Sequence, residues 1–190
     1  MSREQILGRI RQSLKRKSEL PPGVADALAE RRVQHVRPDI GDDPVAHFFT
    51  KVELVAGSVE RCASRARVSG AVVDYLEAND LPLEITASDD PLLDLTWSNR
   101  LMVRRGLPQA REAVGVTVAY AGIAETGTVV MLSSAASPTS LNFLPATHIV
   151  VLRRSRIVPY TEDVWALLRR EHGEVPRTVN LITGPSRTGD

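Results

Sequence analysis

The chain has 190 residues, enough to bury one sizeable core, so a single α/β domain with an added arm is the expectation. Its 43% hydrophobic and 25% charged residues are ordinary for a globular protein, and a formal net charge of +1 argues against a dedicated nucleic-acid binder, which carries a strong basic excess. The single cysteine, Cys62, excludes an internal disulfide framework, and alone it cannot hold an iron–sulfur cluster or a structural zinc.

The amino terminus, "MSREQILGRIRQSLKRK", mixes acidic and basic residues before any long apolar run, so no secretory signal is read there. No segment approaches the roughly 20 apolar residues of a membrane span. A cytoplasmic protein is expected. Ile6, Ile10 and Leu14, widened by Leu7, form a narrow apolar stripe at helical spacing, and Ser2 with Gln5 has the form of a capping box. The other faces carry Arg9, Arg11, Lys15, Arg16 and Lys17. They read as a solvated face in preference to an RNA-seeking or lipid-seeking arm, and the stripe points to packing on a neighbour or to self-association.

Residues 19–43 read as a connector with one short helical turn, punctuated by Pro21, Pro22 and Gly23 and by Pro38 and Gly41. A second helix is predicted from about Pro44 to Ala56, with Val45, Phe48, Phe49, Val52 and Val55 on its apolar face. Residues 1–56 are therefore assigned to an N-terminal helical arm and 57–190 to an α/β domain. From Ser58 onward, "SVERCA" and "LPLEITA" read as strands around the helix "GAVVDYLEAN", with Cys62 as a half-buried thiol. "VGVTVAY", "GTVVML" and "ATHIVVLRR" read as further strands, the last nearly continuous in apolar residues, as in a buried sheet. "IVPYTEDVWALLRREHG" leads into an amphipathic helix with Thr161 as N-cap, Glu162 and Asp163 in its first turn, and Val164, Leu167 and Leu168 inward. "TVNLITG" is a last strand. Alternation of this kind predicts a largely parallel sheet flanked by helices.

Ligands of open α/β sheets bind beyond the carboxyl ends of strands, which ranks three segments. In "AGIAETGT", Gly122 and Gly127 permit tight turns, Thr126 and Thr128 offer hydroxyls, and Glu125 is a general base or nucleophile if desolvated. On spacing alone, the reading in which Glu125 accepts backbone hydrogen bonds and holds the turn stands ahead. In "ITGPSRTGD", a strand end with Gly184, Ser186, Arg187 and Thr188 forms a loop whose guanidinium suits a carboxylate or phosphate. The alternative there is an Arg187–Asp190 surface pair. In "SSAASPTSLNFLPATHIVV", Ser133, Ser134, Ser137, Thr139 and Ser140 suit anion contacts or turn formation equally. His148 reads as a hydrogen-bonded core residue. His35, His47 and His172 show no ligand spacing, so no metal site is expected, and no P-loop, dinucleotide fingerprint or nucleophile elbow is present.

"IAETGTVV", "LNFLPATHIVVL", "RIVP" before a helix and "ITGPSRTGD", in this order, resemble the lactate-utilisation C-subunit family, the proteins of the LUD domain. "ILGRIRQSL" is similar to that family's N-terminal helix, and the resemblance covers roughly the first 17 residues and 114–190. The resemblance implies a fold of the NagB/RpiA/CoA-transferase-like superfamily. It also implies a role in bacterial oxidation of L-lactate to pyruvate beside two iron–sulfur proteins, with no cofactor in this chain. Glu125, Thr126, Gly127 and Thr128 would form one wall of the site, and Gly184, Ser186, Arg187, Thr188 and Asp190 the other. Fold relatives use a turn glutamate as a thioester-forming nucleophile in CoA transfer, which keeps a catalytic Glu125 as a second reading. Family members run on past the GPSRT-x-D stretch through an Ile-Glu pair to another strand, so any site residues carried there lie beyond Asp190.

Overall fold

Asp43 opens the first helix of the main body: its carboxylate accepts the Val45 and Ala46 N–H groups at 2.9 and 3.1 Å, with Pro44 in the first turn. The computed structural model describes residues 2–14, 37–108, 113–172 and 176–185. Contacts divide the chain into two units, Met1–Arg37 and Pro38–Asp190.

The first unit holds helix α1 (Arg3–Ser13). The expected capping box is present: Gln5 N–H donates to Ser2 Oγ at 3.3 Å and Ser2 N–H to Gln5 Oε1 at 2.9 Å. The stripe of Ile6, Ile10 and Leu14 is exposed. The helical turn expected in the connector lies mostly within 15–36, outside the described residues.

The second unit contains α2 (Pro44–Leu54), α3 (Val68–Ala78), β1 (Glu84–Ala87), β2 (Met102–Arg105), β3 (Val114–Val118), β4 (Ala121–Ile123) and β5 (Thr128–Leu132). After these come α4 (Ser140–Phe143), β6 (Thr147–Val151), β7 (Ile157–Val158), α5 (Thr161–Glu171) and β8 (Val179–Ile182). One sheet has the order β2-β1-β3-β6 and is parallel throughout; the other has the order β7-β4-β5-β8. In the second, β4 and β7 are parallel, whereas β5 runs antiparallel to both β4 and β8. The chain is thus a mixed α/β protein with mostly parallel pairing. The sheets approach where β3 leads into β4: β3 and β6 pair in the first, Ala119 N–H donates to the Val151 carbonyl at 3.0 Å, and β4 and β7 pair in the second.

The side-chain period of two along strands decides what each face packs against. Val72, Val73 and Leu76 of α3 pack with Ile85, Ala87, Val114 and Val116 of the first sheet. Ala121, Ile123 and Val130 face Val164 and Leu168 of α5, while Phe48 of α2 packs with Ala124, Val129 and Ile157. Helix α2 therefore shares a core with the second sheet inside the unit Pro38–Asp190.

Four local expectations are corrected. "SVERCA" forms no strand and pairs with neither sheet; Arg61 lies over the Phe49 ring of α2 at 4.7 Å, and Cys62 is exposed, not half-buried. Helix α2 ends at Leu54, where Ala56 turns to a positive φ of 61° and Gly57 N–H closes on Val52. Strand β6 is half-buried along its whole length, since it is the sheet's edge. The N-cap of α5 is Tyr160, whose N–H donates to the Asp163 carboxylate at 3.1 Å, one residue before the expected Thr161.

Candidate functional site

The segment Ala124–Gly127 is the turn between β4 and β5, and backbone bonds hold it from two sides. Gly127 N–H donates to Ile123 at 2.9 Å, closing the turn on itself. Ala124 and Glu125 N–H groups donate to Val158 and Pro159 at 2.9 and 3.0 Å, extending the β4–β7 ladder into the turn. The Glu125 side chain is half-buried, and among the described residues its carboxylate takes part in no hydrogen bond or ion pair. This overturns the expectation that the carboxylate holds the turn. Main-chain groups do that, which leaves the charge available to something else.

The hydroxyls beside it form a row. Thr126 Oγ1 lies 2.6 Å from Thr128 Oγ1, which lies 2.5 Å from Thr183 Oγ1, the residue following β8. Thr126 is exposed and Thr128 buried, so the row leads from the surface inward. Because β5 and β8 pair antiparallel, with Val129 opposite Ile182, the Glu125 turn and the start of the "TGP" loop meet at one end of their ladder. The structure therefore brings Glu125, Thr126, Gly127 and Thr128 beside Gly184. Ser186, Arg187, Thr188 and Asp190 lie outside the described residues.

Two glycines admit α2 to this corner. Gly127 (φ +69°) and Gly184 (φ +69°) both occupy the left-handed region. A Cβ on Gly127 would meet the Val52 nitrogen at 2.7 Å and the Lys51 carbonyl carbon at 2.8 Å, and one on Gly184 would meet the Val55 oxygen at 2.7 Å. The last turn of α2 thus seats on both walls at once. Thr183, the α2 residues Lys51 and Val52, and Val55, which caps that helix, are members of this corner that the motifs do not mark. The only sequence signal for them is the pair of glycines.

The remaining candidates fall away from this corner. His148 Nε2 lies 2.6 Å from Thr117 Oγ1, and burial pushes its pKa down to about 4, so it is a neutral, hydrogen-bonded core residue, as expected. The Cys62 thiol is pushed up by desolvation and by the Glu60 charge, the opposite of an activated nucleophile. Ser134 accepts the Ser137 N–H at 3.0 Å, so the serine-rich segment does form a turn. It does so at the far end of the β5–β8 ladder, roughly 15 Å of strand from Thr128. No helix among the described residues is long and apolar enough to cross a membrane.

Mostly parallel pairing flanked by helices, with a glycine-bearing turn between β4 and β5, defines an α/β protein. Residues 103–190 match the family model described as LUD domain. The chain is 28% identical to the uncharacterized protein YkgG of Escherichia coli (strain K12), over all of this chain and 89% of that protein. It is 38% identical to the lactate utilization protein C of Bacillus subtilis (strain 168) over 80 residues, 40% of this chain and 33% of that protein. The corresponding protein of Anoxybacillus flavithermus is 36% identical over 42% of this chain and 36% of its own length. The matches to these two lactate utilization proteins thus span about a third of each of their lengths. Among solved structures, a DUF162 family protein from Deinococcus radiodurans superposes with a TM-score of 0.58 at 21% identity, covering 74% of this chain and 87% of that one, a likeness of fold.

Proposed function

We propose that this protein is a subunit of a bacterial system that oxidises L-lactate to pyruvate, working beside iron–sulfur proteins that carry the electrons. The observation that carries the reading is the LUD-domain match over residues 103–190 together with the similarity of about two fifths of the chain to several lactate utilization C proteins. In this role the Glu125 turn and the "TGPSRT" loop bound a crevice for a small carboxylate. Arg187 meets the anion, and Gly184, Ser186, Thr188 and Asp190 complete the wall opposite Thr126, Gly127 and Thr128. A guanidinium suits a carboxylate because its planar fork donates two parallel hydrogen bonds. The exposed stripe of α1 suits contact with a partner or a second copy.

The test is deletion of the gene in its host, followed by growth on L-lactate and affinity purification of the tagged full chain from lactate-grown cells. The reading expects a specific growth defect on lactate and recovery of iron–sulfur oxidoreductase subunits. Normal growth on lactate together with a partnerless protein would sink it.

One observation favours a second reading. The half-buried Glu125 carboxylate has no partner among the described residues, which suits a general base or a nucleophile toward a small phosphorylated or CoA-linked substrate. Glu125→Gln would then abolish turnover while the folded protein persists. Unchanged turnover removes Glu125 from the chemistry.

A further inference from the structure

At the end of the β5–β8 ladder opposite Glu125, a cleft of about 510 Å³ is lined by Ser133, Ser134, Thr139, Arg177 and Thr178. Its volume falls within the range of small-molecule sites. Two features give it a definite polarity. Among the described residues none of the lining side chains is acidic, and the Arg177 guanidinium makes no hydrogen bond or ion pair. The hydroxyls are set as donors. Thr178 N–H donates to Ser133 Oγ at 2.9 Å and Ser137 N–H to Ser134 Oγ at 3.0 Å, so each serine oxygen already accepts a main-chain proton. The O–H of each is then left to donate elsewhere.

The frame around these groups is rigid. Ser133 N–H donates to the Thr178 carbonyl at 3.0 Å, so Ser133 and Thr178 are locked together by two bonds where the ladder ends. The following loop is tied down by Asp89 N–H, which donates to Ala136 at 2.8 Å. Asp89 lies just past Ala87, the end of β1, so the loop is anchored at the carboxyl end of a parallel strand, where α/β proteins collect ligands.

We propose that this cleft is a second ligand site, one that binds the carboxylate or phosphate group of a small molecule through Arg177 and the Ser133 and Ser134 hydroxyls. The chemistry shared by the two groups is a compact oxyanion that accepts from a guanidinium and from O–H donors at once. The inference uses neither the family match nor the Glu125 wall, so it stands or falls apart from the lactate reading.

Calorimetric titration of the full chain at low ionic strength, with inorganic phosphate in one arm and pyruvate in the other, tests it. Two proteins are compared: the unaltered chain and Arg177→Gln. Saturable binding of at least one probe is expected, weakened about tenfold or more by Arg177→Gln. The probe that binds identifies the source of the oxyanion. Absence of saturable binding in both arms, or equal binding by Arg177→Gln, overturns the proposal. Arg177 is exposed, so its substitution leaves the fold intact, and Ser133→Ala gives a second, charge-neutral check on the same binding curve.

Discussion

The hydroxyl oxygens of Thr128 and Thr183 stand 2.5 Å apart, joining the first residue of β5 to the residue after β8. They are 55 positions apart in sequence, and the antiparallel β5–β8 ladder is what brings them together. Through Thr128 the Glu125 turn is coupled to the loop that begins at Gly184.

Thr128→Val keeps the volume and removes the central hydroxyl of the row. It leaves the Thr126 and Thr183 hydroxyls without their shared partner, and a loss of about 1–2 kcal/mol is expected in urea denaturation. Thr126→Val, at the exposed end of the row, is expected to cost less than half of that. Equal costs for the two would show that the row is not the element that holds the corner.

Gly127→Ala and Gly184→Ala each place a Cβ in the left-handed region and against the α2 backbone. Strain and contact add, so a loss of roughly 2–4 kcal/mol is expected for each. Both substitutions push on the same turn of α2, and the double variant should therefore be less destabilised than the two single losses added together. Chemical denaturation of the three proteins measures this.

His148 gives the fold a dependence on acid. Its folded pKa, about 4, lies below the ordinary 6.5, so between those values the unfolded chain binds a proton that the folded chain does not. The resulting stability is fully present above pH 6.5 and declines as pH falls toward 4, by on the order of 3 kcal/mol at most. A stability profile across this range for the unaltered chain and for His148→Gln checks it. The variant is expected to lose that part of the slope.

Tyr120 is held in its protonated form, with a pKa pushed up to about 12, first by burial and then by the Glu171 carboxylate that accepts its O–H at 2.9 Å. Arg156 donates to the same carboxylate at 2.8 Å and lies over the Tyr120 ring at 5.2 Å. A tyrosinate absorbance step near 12 is expected, absent in Tyr120→Phe. In Glu171→Gln the step should move only part of the way toward 10, because burial remains. A step that does not move would mean that Glu171 plays no part in holding the proton.

Elements with strong local signals are legible from the order of residues alone. The α1 capping box, the inward face of α5 at Val164, Leu167 and Leu168, and strands β3, β5 and β8 rest on short-range periodicity and capping chemistry. "SVERCA" misleads because its β-favouring Val59 has no strand partner in either sheet, and pairing is something no window along the chain contains. Strand β6 reads as a buried strand because composition reports apolarity and not position in the sheet; only its place beyond β3 makes it an edge. The amphipathic face of helix α2 announces a partner without saying which, and the partner is the second sheet.

The same division applies to the site. Local order determined that Glu125 sits in a glycine-bearing turn among threonines, since turn chemistry is a property of adjacent residues. Whether the carboxylate or the main chain holds that turn depended on Pro159, whose carbonyl arrives on β7 more than thirty residues later. That Thr183 completes the hydroxyl row, and that Arg177 and Ser133 line one cleft, depended on the pairing of β5 with β8. Strand pairing is a long-range choice, made by burying faces against α2 and α5, and sequence periodicity records that a face will be buried without recording against what.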